Sequence, residues 1–343
     1  EHTLELKKEG CARASQLINV EEGKILPVHL TLSSGCSVIL QTDREGDILY
    51  VDGKRVGVSP QRLELSYGVH TIRAERGEQH TEKELEVTET GGESVVTLGF
   101  GLLSQIRWSS SVMPKQKEIL SRLVGNMVKV DGGRFQMGGT PEQGNDAYNN
   151  EKPVHEVTLS DYYMGKYEVQ QFEWEVVMGN NPSYFKGDDL PVEGVSWSDC
   201  HEFIGRLNAL TGLNFKLPTE AQWEYAARGG RLSKGYKYSG SNNLGEVGWY
   251  GRNFGNCTHR VGQKQPNELG LYDMSGNVFE WCEDWYGDYS VASQRDPSGT
   301  ASGSGRVFRG GCWFNVARYC RVSNRSSFTP DYRHSYLGFR LVC

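Results

Sequence analysis

One stretch decides the fold: Asn267-Glu268-Leu269-Gly270-Leu271-Tyr272-Asp273-Met274-Ser275-Gly276-Asn277-Val278-Phe279-Glu280-Trp281. It mixes glycines, which permit positive φ angles and tight turns, with large aromatic rings. The whole chain has the same character, with 42 glycines, 8 tryptophans and 17 tyrosines in 343 residues. This composition predicts a turn-rich fold pinned by large rings rather than a helix bundle.

The overall composition excludes several classes of protein. A formal net charge of −6 gives no electrostatic reason to expect a nucleic-acid partner. No stretch is long and apolar enough to span a bilayer. The eight cysteines include no C-x-x-C pair and no metal-ligand spacing, so single buried thiols are the simplest interpretation.

Residues 28–100 predict a small all-β domain after an N-terminal segment, 1–27. Short strand-like runs alternate with turn signals, including an Asp52-Gly53 hairpin turn. This spacing is typical of an Ig-like sandwich. The runs Ile48–Gly53, Gly57–Pro60 and Leu65–His70 resemble the PEGA family of surface-associated bacterial domains, which implies a spacer or wall-facing role. A generic sandwich with no role of its own remains the alternative.

Residues 101–126 form a predicted linker, and residues 127–343 the main domain. Apolar spacing in the linker predicts a short helix over Lys115–Val124. In the main domain, Ser196–Leu210 has a start signal and a helical apolar pattern. The capping box at Thr219–Gln222 predicts a second helix there.

The main domain resembles the formylglycine-generating-enzyme (sulfatase-modifying-factor) family from residue 127 to the end, with the matching runs in the family's order. The resemblance implies an α+β fold of the C-type-lectin kind with little regular secondary structure. The runs are Gly132–Gly138, Pro153–Val157, Pro191–Trp197, Leu217–Ala226, Asn267–Trp281, Arg309–Gly311 and Leu337–Arg340.

The resemblance also implies a structural calcium site in the quoted stretch. Carried over, its ligands are the side chains of Asp273 and Glu280 and the carbonyls of Gly276 and Val278. Two carboxylates plus turn carbonyls suit Ca²⁺, which takes roughly six to eight oxygens. A hydrogen-bonded loop without an ion is the alternative.

The family's enzymes oxidise a cysteine with copper held by two cysteines, but here those positions are Asn315 and Cys320. An amide cannot replace a thiolate for Cu(I), and Cys312 lies three residues too early. We therefore expect no copper and no catalytic residue. His155, His201 and His334 do not share a three-histidine spacing. Glu220 and Glu224 share one helix face, where capping and surface charge are the simplest roles.

The segment from Arg306 to Cys343 contains no Lys, Glu, Gln or Met. This bias resembles the variable region of proteins diversified by a retroelement, of the treponemal variable-lipoprotein kind. Such systems copy a template RNA and randomise its adenines, so Asn codons can become Phe, Tyr, Ser, His, Val, Asp or Thr but never Lys, Glu, Gln, Met or Trp. The candidate binding residues, within a variable region of about 312–336, are Phe314, Asn315, Val316, Tyr319, Ser326, Ser327, Phe328, Tyr332, His334, Ser335 and Tyr336.

These residue types favour binding. Tyr and Phe give contact area at low entropy cost, and Ser, Asn and His add adaptable hydrogen bonds. We expect the varied side chains to point outward and Trp313, Arg318 and Phe339 to point inward. The sequence thus predicts a non-catalytic, receptor- or adhesin-like protein on the bacterial surface, a lipoprotein whose anchor lies outside this sequence. Its partner would be a protein or cell-surface ligand. The alternatives are a copper-dependent oxidase acting on sulfatase cysteines and an invariant scaffold protein.

Overall fold

The computed structural model describes residues 2–6, 14–18, 28, 35–42, 45–77, 79–88, 94–253 and 255–343. The chain divides into two compact units, Glu1–Gln105 and Ile106–Cys343. The sequence also predicts a strand over Thr31–Leu40, whose first four residues lie outside the described ones. Cys11, which follows a charged run and is not expected to carry a lipid, lies outside them as well. No helix in the described ranges combines the length and apolar composition that a bilayer crossing requires.

The first unit is built from short β-strands. Two of its sheets have the strand orders β6-β3-β9 and β5-β4-β7-β8, and apolar side chains from both sheets form a single core. Asp52 and Gly53 have φ angles of 49° and 74°, which confirms the predicted hairpin turn between β4 and β5. The strands are β1 (His2–Leu6), β2 (Ala14–Ile18), β3 (Gly35–Thr42), β4 (Ile48–Val51), β5 (Lys54–Val58), β6 (Gln61–Ser66), β7 (Gly68–Arg76), β8 (Gln79–Val87) and β9 (Ser94–Leu98). A 3₁₀ turn at Leu102–Gln105 follows.

The second unit mixes short helices, short strands and long loops. Its sheets have the orders β10-β13, β11-β12-β15 and β17-β16-β14-β18. The helices are α1 (Pro114–Gly125), α2 (Gln171–Met178), α3 (Trp197–Thr211), α4 (Glu220–Ala227) and α5 (Leu244–Val247). The strands are β10 (Met127–Val130), β11 (Gly133–Met137), β12 (His155–Leu159), β13 (Tyr162–Gly165), β14 (Phe279–Trp285), β15 (Gln294–Arg295), β16 (Arg306–Arg309), β17 (Arg325–Phe328) and β18 (Leu337–Gly338). Short 3₁₀ segments occupy Pro141–Asp146, which is kinked at Gly144, and Asn149–Glu151, Gly230–Leu232 and Ala317–Cys320.

The predicted helices form where their caps indicate. Ser196 caps α3 by accepting the Asp199 N–H at 3.1 Å, while the Asp199 carboxylate accepts the Ser196 N–H at 2.8 Å. Gly212, at φ 68°, ends that helix. Thr219 caps α4 in the same reciprocal way with Gln222. The predicted linker helix is α1.

Helix α4 is almost entirely buried, and one expectation about it is wrong. Glu220 and Glu224 do not lie on the surface: they are 4% and 0% exposed. Arg228 pairs locally with Glu224, but Arg309 and Arg325, which bury and neutralise both carboxylates, come from strands far along the chain, so the sequence pattern missed this.

The stretch Asn267–Trp281, quoted above, connects the core of the second unit to strand β14. Gly276 has a φ of 108°, and a Cβ atom there would lie 2.3 Å from the Trp249 carbonyl oxygen, so only glycine fits. Strand β14 then runs between β16 and β18, with Glu280 opposite Arg309. The Trp281 indole is buried and donates to the Val195 carbonyl at 3.0 Å.

Candidate ligand-binding site

A buried ion pair fixes the start of the C-terminal loop. Arg321 and Glu151 are both fully buried and form a two-pronged pair, with Nη1 to Oε2 at 2.8 Å. The Ser323 hydroxyl donates to the same carboxylate at 2.5 Å. Burial alone would raise the pKa of Glu151, but the Arg321 and Ser323 hydrogen bonds more than offset it, so its pKa is lowered. Glu151 is therefore ionised at neutral pH.

Two further arginines bind the carboxylates of α4. The Arg325 guanidinium donates two hydrogen bonds to the Glu220 carboxylate, from Nε at 2.7 Å and from Nη2 at 2.6 Å. Arg309 contacts Glu220 and Glu224, and it donates to the carbonyls of residues 322 and 323. Burial would raise the pKa of Glu220, but the charges of Arg325 and Arg309 outweigh it and lower the pKa.

We call these three arginines and their carboxylates the arginine frame: Arg309, Arg321, Arg325, Glu151, Glu220 and Glu224. Bidentate guanidinium–carboxylate pairs fix geometry as well as charge. Because the frame also holds backbone carbonyls, it fixes the path of residues 320–325, all of which are buried.

None of the candidate binding side chains, all within the described chain, is buried. Phe314 is 43% exposed, Val316 63% and Tyr319 42%. Ser326 and His334 are also exposed. The others are half-buried: Asn315, Ser327, Phe328, Tyr332, Ser335 and Tyr336. Of the residues expected to point inward, Phe339 is buried, whereas Trp313 and Arg318 are only half-buried.

Several of these side chains form a continuous aromatic cluster. Phe328 stacks between Phe308 and Tyr332, with ring centroids 4.5 and 4.0 Å apart. The Tyr332 and Tyr336 hydroxyls are hydrogen-bonded at 2.6 Å. Phe314 packs edge-on against Tyr336 at 5.1 Å. Since Phe308 is 3% exposed, the cluster rests on a buried ring of strand β16.

A cavity of about 590 Å³ opens beside this cluster. Six of the candidate residues line it: Phe314, Asn315, Tyr319, Ser326, Phe328 and Tyr336. The other five candidate residues do not line the cavity: Val316, Ser327, Tyr332, His334 and Ser335. The sequence did not identify the other lining residues, which are Tyr148, Asn149, Asn150, Phe279, Phe308, Asn324 and Arg325.

Three of the seven lining residues that the sequence missed come from the 3₁₀ turn Asn149–Glu151 and the residue before it. Tyr148 stacks on Tyr319 at 6.0 Å, and the Arg318 guanidinium lies 3.7 Å above the Tyr148 ring. The only local signal was a run of Tyr and Asn between two matching motifs. The cavity thus joins this turn to the C-terminal segment, which the arginine frame already connects.

The residues present do not fit a two-thiolate copper centre. Asn315 accepts hydrogen bonds from the Cys312 N–H at 3.0 Å and the Cys312 thiol at 3.2 Å, so it shapes the turn. Burial raises the pKa of Cys320 to about 12 and that of Cys312 well above its usual range. Both sulfurs are therefore protonated at neutral pH, so that forming the thiolates that Cu(I) binds would cost free energy here.

Each of the three histidines considered above has a different partner. His155 packs at a tilt against Tyr289, His201 pairs with Glu283 at 2.9 Å, and His334 stacks on Tyr336. Across the described chain, no three His, Cys, Asp or Glu side chains are grouped to hold a metal.

The two carboxylates that the resemblance implies as calcium ligands differ in how well their surroundings suit a bound ion. Asp273 is 2% exposed, and its Oδ1 has no hydrogen-bond partner in the described structure, as expected of a cation ligand. Glu280 is already engaged: Arg340 donates to both its oxygens at 2.6 Å, and the Trp223 indole donates to one at 2.7 Å. Asp273 fits a calcium ligand and Glu280 does not.

Comparisons with known proteins agree with this architecture. The model of the sulfatase-modifying factor enzyme 1-like domain matches residues 112–343. The structure of Treponema denticola variable protein 1 aligns with a TM-score of 0.58 and 37% identity, covering 63% of this chain and 94% of that one. That of PvdO from Pseudomonas aeruginosa aligns with a TM-score of 0.53 and 27% identity, covering 63% and 93%.

Two curated relatives show the same relationship. A Paenibacillus barcinonensis protein named chaperone protein LppX is 34% identical over 267 residues, covering 63% of this chain and 89% of that protein. The formylglycine-generating enzyme of Streptomyces coelicolor is 38% identical over 169 residues, 44% of this chain and about half (51%) of the enzyme. This chain therefore belongs to the sulfatase-modifying factor family, through a domain of the sulfatase-modifying factor enzyme 1 type at residues 112–343.

Proposed function

We propose that the second unit is a non-catalytic binding module whose ligand enters the cavity beside the aromatic cluster. One observation carries the proposal: the candidate side chains are exposed or half-buried, and six line one cavity, while residues 320–325, which lie among them in the chain, are buried and held by the arginine frame. A surface built this way can change its side chains without losing its backbone support.

The cavity chemistry suits recognition of a protein or cell-surface ligand. Its aromatic rings supply contact area, and Asn315, Ser326 and Asn324 supply hydrogen-bonding groups. The one charged lining residue, Arg325, is committed to Glu220. The structural similarity to a treponemal protein named for its variability supports the same role.

We further propose that a retroelement diversifies this face. The support is the amino-acid bias after Arg306 together with the placement of the biased positions around the cavity. Sequencing the genomic neighbourhood tests this directly. We expect a near-copy of the segment carrying Asn codons at the varied positions, and clonal isolates that differ there. An isolated gene with no such copy would contradict diversification without touching ligand binding.

A substitution experiment tests the binding role. The triple variant Phe314→Ser, Val316→Ser, Tyr319→Ser removes the most exposed apolar groups of the face. Its control is Tyr184→Ser with Val291→Ser, which removes side chains that are 77% and 81% exposed but absent from the cavity lining. On arrays of cell-surface proteins and glycans, signals of the parent chain should vanish in the triple variant and persist in the control. Signals unaffected by the triple variant would contradict the proposal.

The copper-dependent oxidase is the alternative with an assay of its own. Incubation with Cu(I) and a sulfatase-type cysteine peptide should yield no formylglycine, because Asn315 replaces a thiolate. Turnover that disappears in Cys320→Ser would overturn the non-catalytic proposal. An invariant scaffold predicts identical face residues in every isolate, which the sequencing experiment also detects.

For the first unit we propose a PEGA-like, Ig-like spacer on the bacterial surface, in a protein anchored by a lipid outside this sequence. Its support is the motif resemblance and the two sheets that share one core. Protease accessibility on intact cells tests the location: surface display predicts cleavage without lysis, and protection until lysis contradicts it.

We also propose that a structural Ca²⁺ binds at Asp273, on the loop that contains Gly276 and Val278. The support is the unpartnered Oδ1 atom of Asp273. Thermal unfolding with Ca²⁺ or with EGTA tests this. We expect a higher Tm with Ca²⁺, and a Tm independent of Ca²⁺ would contradict it.

A further inference from the structure

A second cavity, of about 240 Å³, shares Arg325 with the aromatic cavity but none of its other lining residues. It is smaller than the roughly 300 Å³ at which pockets for drug-sized ligands begin, so it suits a small ligand or the end of one side chain. None of the candidate binding residues lines it. Its buried lining residues are Met137, His155, Glu220, Ala221, Asp284 and Arg325.

Two polar side chains of this wall are buried and each has an atom without a partner. His155 and Asp284 are both 4% exposed. The Nδ1 atom of His155 lies 3.1 Å from the Pro153 carbonyl oxygen, which can only accept, so Nδ1 holds the proton and Nε2 carries the lone pair. The Oδ2 atom of Asp284 accepts the Glu220 N–H at 2.8 Å. Among the residues that the structure describes, neither Nε2 of His155 nor Oδ1 of Asp284 has a hydrogen-bond partner.

A glycine keeps the Asp284 oxygen open. Gly299 lies against the acid with a φ angle of 75°. A Cβ atom at this position would lie 2.8 Å from the Asp284 Cβ and 3.0 Å from Oδ1. The chain therefore passes close to Asp284 without a side chain that would cover its unpartnered oxygen.

The side-chain donors beside these two acceptors are already engaged. Arg325 donates from Nε and Nη2 to Glu220, and from Nη1 to the carbonyls of Asn150 and Gly287. The Tyr289 hydroxyl donates to Glu220 at 3.1 Å. An anion or a carbonyl compound therefore finds no uncommitted donor among the buried side chains of this wall. A ligand rich in N–H groups finds two acceptors.

The empty cavity needs no counter-ion, because Asp284 can take up a proton. Burial and the Glu220 charge raise its pKa to about 7. A ligand that donates N–H groups and carries a positive charge displaces this proton and binds the carboxylate. Its affinity then rises with pH. The charged and titratable groups around Asp284 are Glu220, Glu283 and Arg325, with His155, Asp288 and Tyr289 on the rest of the wall.

We propose that this cavity binds a primary alkylammonium group, whose N–H groups are accepted by Oδ1 of Asp284 and Nε2 of His155. An ammonium has three donors and no acceptor, which complements two buried acceptors. An organic cation fits better than a metal, since no three His, Cys, Asp or Glu side chains in the described ranges are grouped to hold one. Met137, Ala221 and Pro297 supply apolar contacts for a short carbon chain.

Saturation-transfer NMR on the full chain tests the site, with n-butylammonium chloride as the probe at pH 8. We expect saturable binding. Two ligands of similar size separate its causes: butyltrimethylammonium keeps the charge without N–H donors, and n-butanol keeps a donor without the charge. Each should bind at least tenfold more weakly. Acetyl-lysine amide distinguishes the two sources of the group. Parent-like binding shows that a lysine of a partner protein fits, and exclusion assigns the site to free short-chain amines.

Two variants test the acceptors. Asp284→Asn removes the charge, and His155→Phe keeps a ring beside Tyr289 but removes Nε2. Each should weaken n-butylammonium binding at least tenfold. The matched control is Glu193→Gln, because burial raises the pKa of that acid to about 7 as well but it does not line the cavity. It should bind like the parent.

The pH profile provides a readout that packing alone does not move. Between pH 6 and pH 8 the ionised fraction of a group with a pKa of about 7 rises about tenfold, and the affinity of the parent should rise with it. An alkylammonium stays charged over this range, as lysine does with a pKa of about 10.4. A proton on Nε2 of His155 acts in the same direction, because it removes an acceptor. Asp284→Asn should lose most of the dependence.

Several results would overturn the proposal. They are an absence of saturable n-butylammonium binding at pH 8, equal binding of n-butanol, and affinities within threefold of the parent in both variants. Asp284→Asn removes a charge that burial opposes, so its folding does not limit the test. If His155→Phe does not fold, Asp284→Asn and the pH profile decide the outcome. The aromatic cavity has its own assay, and the result there does not affect this one.

Discussion

Two neighbouring strips of the C-terminal segment differ in how they depend on the rest of the domain. Every residue from 320 to 325 is buried, and its arginines bind carboxylates on other elements. In residues 313–319 no side chain is buried. The difference teaches that one short stretch can separate support from recognition. Residues 320–325, the frame strip, fix the backbone, and the side chains of residues 313–319, the face strip, are free to change.

The largest effect should come from breaking the frame. Glu151→Gln leaves the Arg321 guanidinium buried without its counter-charge, which costs about 3–5 kcal/mol. Urea unfolding at pH 7 measures the loss. The control is Arg333→Ala, whose pair with Asp199 is half-exposed and should contribute less than about 1 kcal/mol. Equal losses of unfolding free energy in Glu151→Gln and Arg333→Ala would contradict the distinction between the buried frame and the exposed face.

A second prediction concerns Asp284, a buried acid that contacts Glu220 of the arginine frame. Asp284 accepts the Glu220 N–H at 2.8 Å, and burial together with the Glu220 charge raises its pKa to about 7. The folded state therefore holds this proton up to a higher pH than the unfolded chain, so its contribution to stability falls as pH rises from about 4 to 7. Asp284→Asn keeps an acceptor and removes the charge. It should stabilise the chain at pH 8 by up to about 4 kcal/mol and have little effect near pH 4.

Unfolding curves of the parent chain and of the Asp284→Asn variant, measured between about pH 4 and pH 8, check this prediction. The paired frame acids behave oppositely, since the lowered pKa values of Glu151 and Glu220 mean their contribution is present at neutral pH and lost only as pH falls through those values. An Asp284→Asn variant with the same pH profile as the parent would show that this acid is not strained by burial.

A third prediction places the boundary between the strips. Phe328 is half-buried and stacks on the buried Phe308 ring, so Phe328→Ser should cost about 1–2 kcal/mol, between the frame and face effects. Chemical denaturation gives the value. A loss as large as that of Glu151→Gln would assign Phe328 to the frame instead.

The sequence predicted the elements whose signals are local. The caps of α3 and α4 and the Asp52-Gly53 turn are each encoded within about four residues, and each forms as expected. The family resemblance supplied the class of fold that the matched domain shows.

The rest depends on contacts between distant parts of the chain. Glu151 and Arg321 are 170 residues apart, and nothing near either one announces the other. For the same reason the buried roles of Glu220 and Glu224 and the Tyr148–Asn150 wall of the cavity were missed. Composition could identify the C-terminal segment, but only the fold shows which of its side chains share a cavity.

The most direct test of the central claim is the free energy of unfolding of Phe314→Ser, Val316→Ser, Tyr319→Ser, measured against the parent chain. If these side chains face solvent on a frame that does not need them, the triple variant should lose less than about 1.5 kcal/mol and keep the parent's cooperative transition. A loss above about 3 kcal/mol, or a variant that does not fold, would show that the face is part of the domain's support.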